Sequence, residues 1–560
     1  MPDTFVPADY QPELPEDRLL LTDAPDDEAV PMDVAIVGGG PAGMACAIQL
    51  AKLVAGDDDM DDVEIAVLEK AESLGEHNLS GAVINPGPFR TLFPELSDDD
   101  FPFRRPVDSE RVYVLRERGA LRIPAPPPMK NHGNYIASIS EICRWMGEKA
   151  EAAGVNLFTG FAVGSLLLDD DRVAGVRTVA TGLDRDGEPG GAGYMPPTDV
   201  LAKVTALAEG TRGALSQAYL DGQGVERQNP QIFALGVKEV WETKKPLDHI
   251  IHTMGWPLPN DAFGGSFMYP MADDKVSVGL VVGLDYDDAE LDPHALFQRM
   301  KAHPLFREYL DGGEMLEWGA KTIPEGGFYA LPGRRSGNGV VILGDSAGFV
   351  DVPSLKGVHY AVQSGIFAAR AIYQALKNDD ASAAALARYD TLVNESFIVR
   401  DLRKTRNMRL AFKSGFYSGG FKAALMTVTG GRFPGGKIEL GPDAAHPKQA
   451  QKPAGAGGPD DDVADFTPDG ELTFSKVDAV FKSGNQTRDD IPPHLIPAED
   501  VPAEVARMYV AMCPAEVYEL DEDGNLVVNA PNCVDCKATD VLGPRWTPRE
   551  GGAGTKYREM

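Results

Sequence analysis

Residues 32–37 are a short, mostly apolar run, and residues 44–54 place apolar side chains at helical spacing. Between them stands Gly38-Gly39-Gly40-Pro41-Ala42-Gly43. The pattern predicts a strand, a tight glycine turn and a helix. A second strand is predicted over 63–68, ending at Glu69. Two more are predicted over 204–208, before Glu209-Gly210-Thr211-Arg212-Gly213, and over 340–343, before Gly344-Asp345-Ser346-Ala347-Gly348. A helix is predicted over 140–150. Near the C-terminus, the runs 517–520 and 526–529 flank Asp521-Glu522-Asp523-Gly524-Asn525, the pattern of a hairpin. The expected fold class is α/β, with a Rossmann-like domain.

A GxGxxG turn between strand and helix is suited to a dinucleotide. Gly38 permits the tight turn, Gly40 lets the main chain approach a pyrophosphate, and Gly43 lets helix and strand pack closely. Ala42 lies in the same turn, at the helix start where N–H groups are free for phosphates. A carboxylate at Glu69 can accept hydrogen bonds from ribose hydroxyls. The bland readings are a glycine-rich turn without a ligand, and a capping role for Asp345.

At 560 residues the chain is too long for one ordinary core. Composition divides it into an N-terminal tail (1–31), a long body (32–430), a Gly/Pro/Asp-rich linker (431–485) and a compact C-terminal module (486–560). The net charge of −32, from 53 basic and 85 acidic residues, argues against nucleic-acid binding, which needs positive charge. The acidic, proline-rich start does not read as a secretory signal, and no run of about 20 apolar residues predicts a spanning helix. Five cysteines make no disulfide framework. Cys513, Cys533 and Cys536 gather near the C-terminus, which points to metal or cluster chemistry in a reducing cytoplasm.

Several segments in one order carry a family resemblance. They are Gly75-Glu76-His77-Asn78-Leu79-Ser80-Gly81-Ala82, Asn131-His132-Gly133-Asn134-Tyr135, Gly255-Trp256-Pro257-Leu258, Phe263-Gly264-Gly265-Ser266-Phe267, Glu325-Gly326-Gly327-Phe328 and Gly348-Phe349-Val350-Asp351-Val352-Pro353. On these the chain resembles the electron transfer flavoprotein–quinone oxidoreductase family, from about Met32 to Met560. The resemblance implies a glutathione-reductase-type FAD domain, an interleaved quinone-binding and membrane-surface region, and a ferredoxin-like module with a four-iron cluster. For FAD it points to Gly38, Gly40, Ala42, Gly43, Glu69, Ser80, Gly81, Gly210, Gly344 and Asp345, with Asp345 at the ribityl chain. For quinone it points to Gly264 and Gly265, where glycine lets the main chain lie against a flat ring; a plain turn is the alternative. For the cluster it points to Cys513, Cys533 and Cys536.

The implied partners are a reduced electron transfer flavoprotein, membrane quinone and the membrane surface. The implied place is peripheral (monotopic), on the cytoplasmic face of the inner membrane. Electrons arrive singly at FAD or the cluster, and quinone takes two with two protons. No catalytic acid–base set is expected. His77, His132, His252 and His359 are read as proton-path or structural residues. Two segments resemble the membrane-dipping regions of the family, 77–96 and 411–430. The second also argues from its residues: Phe412, Phe416, Tyr417, Phe421, Leu425 and Met426 stand beside Arg400, Arg403, Lys404, Arg406 and Arg409. Apolar surface next to basic charge suits an anionic leaflet. A core helix with a solvated basic face is the other reading.

The chain departs from the family at one position. A further cysteine is expected three residues after Cys536, where Thr539 stands. Four readings are open: a four-iron cluster with Asp540, Asp535 or water at one iron, a three-iron cluster, a zinc site, or an empty remnant. Rival functions are a soluble FAD-dependent monooxygenase or isoprenoid reductase, and a non-enzymatic membrane-surface scaffold with a degenerate module.

Overall fold

The structure is a computed structural model that describes residues 4–60, 62–190, 193–433, 435–450 and 466–560. Strand Val30–Val37 is the hub of its first sheet. Val34 to Val37 are all buried, as expected of a strand covered on both faces. It pairs in parallel with Ile65–Glu69, Val37 opposite Leu68, and with Asp199–Leu207, Val37 opposite Leu207. Asn156–Thr159 and Val340–Ile342 extend this parallel array at its two sides. In-register parallel pairing brings the C-terminal strand ends to one edge. Gly38, Glu69, Gly210 and Gly344 therefore share that edge.

The helix after the glycine turn runs from Pro41 to Ala55, starting earlier than the periodicity suggested. Proline suits a first helical turn, where its missing N–H has no partner to lose. This helix packs on Val358–Lys377 at very short range. A Cβ on Gly365 would stand 2.2 Å from the Ala42 carbonyl oxygen.

The second sheet has seven strands in the order Glu314–Pro324, Phe233–Glu242, Lys275–Gly283, Gly264–Ala272, Ile250–Gly255, Glu110–Arg116 and Gly119–Ile123. Its neighbours pair antiparallel except Ile250–Gly255 with Glu110–Arg116. Adjacent charges interrupt the apolar Phe233–Glu242 strand, and alternation sends them to opposite faces. Glu239 is buried against Lys301 (2.7 Å), Gln298 (3.0 Å) and the Trp241 indole N–H (2.6 Å). Lys238 is buried on the other face, where its ammonium donates to the Ser80 carbonyl at 3.0 Å.

Residues 4–30 pack onto the body. Thr4–Phe5 pairs with Lys448–Gln449, and Leu20–Leu21 lies parallel to Val163–Asp169. Of the linker expected over 431–485, residues 451–465 lie outside the described ones. Segment 77–96 differs from its membrane-dipping expectation. Phe89, Leu92 and Phe93 are buried, packed among Phe101, Phe103 and Trp145, and its exposed positions include Arg90 and Glu95. The aromatic rings of 101–103 cover its apolar side.

Helix Phe416–Thr429 does the opposite. Tyr417, Phe421, Ala424 and Val428 form one stripe at helical spacing, and all four are exposed. Tyr417, Phe421 and Val428 are 79%, 68% and 86% exposed. Gly419 and Met426 face inward instead. Among the described residues no helix is long and apolar enough to cross a membrane.

Lys301→Met leaves the Glu239 carboxylate buried without a cation. It is expected to cost about 3–5 kcal/mol of stability, read from urea unfolding, and adding Glu239→Gln should return much of the loss.

Candidate functional site

The dinucleotide edge is built by main-chain approaches that side chains would block. Gly38 has φ +106, and a Cβ there would stand 2.4 Å from the Ala208 carbonyl oxygen. A Cβ on Gly43 would lie 2.0 Å from the Gly38 oxygen. These two glycines are required by packing. Gly40 and Gly210 are different: a Cβ on Gly40 would meet nothing nearer than the Asn78 amide at 3.4 Å, and one on Gly210 nothing within 4 Å. Open space above them is what a phosphate or ribityl cradle needs. Ala42 is buried in the first turn of the helix.

Both Glu69 carboxylate oxygens are anchored. One accepts the Gly39 N–H at 2.7 Å and the other the Ala71 N–H at 2.8 Å. Each keeps a lone pair for a hydroxyl donor. Gly344 has φ +58, and its N–H donates to the Ser364 hydroxyl at 3.0 Å. Asp345 follows it, half-buried at the same edge. Burial raises its carboxyl to about 6, opposed by the Thr211 hydroxyl donating at 3.4 Å. The Ser346 hydroxyl donates to the Gly210 carbonyl at 3.0 Å, so the two glycine loops move as one. This edge offers acceptors at Glu69 and Asp345 and open backbone at Gly40 and Gly210, a fit for FAD.

Ser80 and Gly81 reach across to the second sheet. The Ser80 carbonyl holds Lys238, and Gly81 lies against the Tyr269 ring. Tyr269 in turn stacks on Phe267 at 4.7 Å and meets the His252 ring nitrogen at 3.5 Å. Burial, aided by Lys356, pulls both His252 and His359 down to about 3, so both imidazoles are neutral. His77 is buried, and among the described residues neither ring nitrogen has a hydrogen-bond partner.

Gly264 and Gly265 have a reason for being glycine that strand pattern did not show. A Cβ on Gly264 would stand 2.0 Å from the Val281 oxygen, and one on Gly265 2.4 Å from the Thr253 oxygen. The neighbouring strands themselves demand glycine here. Just before them, Phe263 packs against Phe412 at 4.9 Å and under the Arg409 guanidinium at 4.1 Å. Arg409, expected as surface charge, is buried and paired with Glu325 (2.6 Å) and Asp285 (2.7 Å). It braces Phe263, just before the Gly264–Ala272 strand, from within.

The C-terminal module folds as the hairpin Tyr518–Leu520 and Leu526–Val528, followed by the Cys533–Cys536 loop. Cys513, Cys533 and Cys536 are all buried free thiols. Main-chain N–H groups of Ala515 and Val517 point at Cys513, that of Asp535 at Cys533 and that of Ala538 at Cys536. Burial raises all three thiols, Cys536 to about 12, with the neighbouring thiolates adding to the rise at Cys533 and Cys536. Three thiolates coexist there when a cationic metal centre offsets their charge. The loop is pinned to the body: the Thr322 N–H donates to the Cys536 carbonyl at 3.0 Å, and Lys537 to the Arg212 carbonyl at 2.8 Å. Arg212, in the Gly210 loop, pairs with Asp540. Sequence reasoning passed over Arg212, Lys238 and Tyr518. Lys238 alone carried a signal, as a cation in the middle of an apolar strand.

Gly43→Ala drives its Cβ into the Gly38 carbonyl, so the turn must open. FAD affinity, read from flavin absorbance on titration, is expected to fall roughly tenfold or more, about 1.4 kcal/mol, with the circular dichroism spectrum retained.

Comparison with known proteins agrees with this geometry. Residues 36–91 match the NAD(P)-binding Rossmann-like domain, 233–323 the ETF-QO ubiquinone-binding domain, and 470–558 the electron transfer flavoprotein-ubiquinone oxidoreductase 4Fe-4S domain. Electron transfer flavoprotein-ubiquinone oxidoreductase of Oryza sativa subsp. japonica is 38% identical, over 95% of this chain and 94% of its own. The Pseudomonas aeruginosa protein of that name is 35% identical, over 95% of this chain and 100% of its own. Among solved structures, a geranylgeranyl bacteriochlorophyll reductase-like protein of Thermoplasma acidophilum superposes with a TM-score of 0.54 at 17% identity, over 73% of this chain and 98% of that one. It shares the fold of the flavin body. With its Rossmann edge, quinone strands and cysteine module each matched in order, the chain belongs to the electron transfer flavoprotein–ubiquinone oxidoreductase family.

Proposed function

We propose that this chain takes electrons from a reduced electron transfer flavoprotein and delivers them, through FAD and an iron–sulfur cluster, to quinone at a membrane surface. The observation that carries this reading is the docking of the cysteine loop on the dinucleotide edge, through Arg212 and Lys537, and on the second sheet, through Thr322. Two redox sites joined by an ion pair and direct hydrogen bonds suit electron transfer, which depends on a held separation.

When bound, FAD and the cluster supply the one- and two-electron chemistry. The chain's own residues bind and orient. Gly40, Ala42 and the helix start would face the pyrophosphate, while Gly38 and Gly43 shape the turn beneath it. Glu69 would take the ribose hydroxyls with its remaining lone pairs. Asp345, Gly344 and Gly210 would flank the ribityl chain, with Ser80 and Gly81 in the loop that reaches Lys238 and Tyr269 of the second sheet. The Gly264–Gly265 strand end, braced by Phe263 and Arg409, forms the quinone side. It stands next to the outward helix, since the Phe416 N–H donates to the Asn260 carbonyl at 3.3 Å.

That helix supports the membrane part of the reading. Its apolar stripe points away from the protein. Beside it Arg400, Arg403, Lys404 and Arg406 line a cavity of about 380 Å³ that reaches Gly430. On a chain of net charge −32 this basic rim faces an anionic leaflet favourably. The face taken is cytoplasmic, where a reducing environment suits the thiolates of an iron–sulfur cluster.

The test is quinone reduction by the purified protein with dithionite-free, enzymatically reduced electron transfer flavoprotein. Turnover dependent on that flavoprotein is expected; oxidation of NAD(P)H with none from the flavoprotein would overturn the reading. Replacing Tyr417, Phe421 and Val428 together by serine is expected to lower binding to anionic vesicles at least tenfold in co-sedimentation, leaving reduction of a water-soluble quinone within about twofold.

A further inference from the structure

We infer that the cluster of this chain is held by three thiolates alone, and that its fourth corner, facing Thr539, has no protein thiolate and carries an exchangeable iron. The inference deepens the cluster part of the reading above. Its starting point is the arrangement of oxygens and sulfurs around Tyr518. The Tyr518 hydroxyl donates to the Thr539 hydroxyl at 3.2 Å, both groups being buried. The same phenol lies in the field of Cys513, Cys533 and Cys536. The position three residues after Cys536 is thus filled by a buried hydroxyl already engaged by Tyr518.

Each substitute for the missing thiolate is already engaged elsewhere. Asp540 accepts the Trp546 N–H at 3.0 Å and pairs with Arg212. Asp535 is held by Lys70 (2.7 Å), the Trp546 indole N–H (2.9 Å) and Arg549 (3.2 Å). Cys46 is buried in helix Pro41–Ala55, packed against Gly365, and Cys143 is buried in helix Ile139–Ala152 near Glu69. Both belong to the core of the flavin body.

A single zinc ion does not suit the three sulfurs. At about 2.3 Å from a tetrahedral zinc, thiolates stand about 3.8 Å apart. Among the described residues, the trio with ligand atoms all within 4.8 Å is His494, Cys533 and Asp535; the three cysteines do not form such a set. Their wider spacing suits a polynuclear cluster. The His494 trio is no better a zinc site, because Lys70 and Arg549 already neutralise its carboxylate.

Three thiolates leave one iron without a protein sulfur. Ferricyanide then removes that iron: the [4Fe–4S]2+ centre loses Fe2+ and passes one electron to the oxidant, leaving [3Fe–4S]+. One thiolate fewer also leaves the site one negative charge poorer, so its reduction potential lies above that of a four-thiolate version.

The experiment uses the full chain, purified without oxygen, with iron and sulfide counted per FAD and electron paramagnetic resonance recorded before and after ferricyanide. The expected result is loss of about one iron per cluster, a three-iron signal, and reversal on adding Fe2+ with a reductant. Thr539→Cys should abolish the signal and lower the potential. Thr539→Val, which keeps shape and adds no ligand, should retain the labile iron. A cluster that resists ferricyanide in both wild type and Thr539→Cys, or a protein with no sulfide at all, overturns the proposal. Flavoprotein-dependent quinone reduction, measured on the same sample, separates failure of this proposal from failure of the functional reading.

Discussion

The contact on which the rest depends is the one between the cysteine module and the dinucleotide edge. Arg212 is the centre of it: its guanidinium pairs with Asp540, its carbonyl accepts from Lys537, and it adopts a left-handed φ of +48. Asp535 and Lys537 are also left-handed, at +53 and +63. Non-glycine residues hold that conformation when surrounding contacts outweigh its cost of about 1–2 kcal/mol each. Here the contacts are Lys70, Trp546 and Arg549 on Asp535, and the Arg212 carbonyl on Lys537. The bends aim main-chain N–H groups at the sulfurs, so the same strain that shapes the cluster loop fastens it to the flavin body.

Charge around this contact runs against the chain's overall balance. The protein is strongly acidic, yet Lys70, Lys321, Lys537, Arg212 and Arg549 gather at the module. Burial draws Lys321 down to about 8 and Lys537 to about 7. Their own hydrogen bonds are to the carbonyls of Asp535 and Arg212. Thiolates and an anionic cluster are the charge these cations complement, since a buried ammonium is costly without one.

The two membrane-like segments show why apolar sequence does not by itself report exposure. Phe89, Leu92 and Phe93 have a ready cover in Phe101, Phe103 and Trp145, and they fold inward. Among the described residues, helix Phe416–Thr429 has no such cover over Tyr417, Phe421 and Val428. Its inward face is occupied by Gly419, packed on Phe412. A helix with apolar residues outward beside a basic cavity is adapted to an interface that water alone does not provide.

Sequence by itself determined the strand–turn–helix of 32–55, because GxGxxG encodes a local backbone shape and period-2 and period-3.6 patterns encode which face is buried. It also determined the hairpin between Cys513 and Cys533, and the departure at Thr539, since both are read from neighbouring residues. It could not decide which of two apolar segments faces outward, that Arg409 is buried against Phe263, or that Gly264 and Gly265 answer to Val281 and Thr253. Nor could it reveal that Asp535 and Asp540 are already engaged by Lys70, Arg549, Trp546 and Arg212. Those partners lie far apart along the chain, and only packing in three dimensions brings them within hydrogen-bond reach.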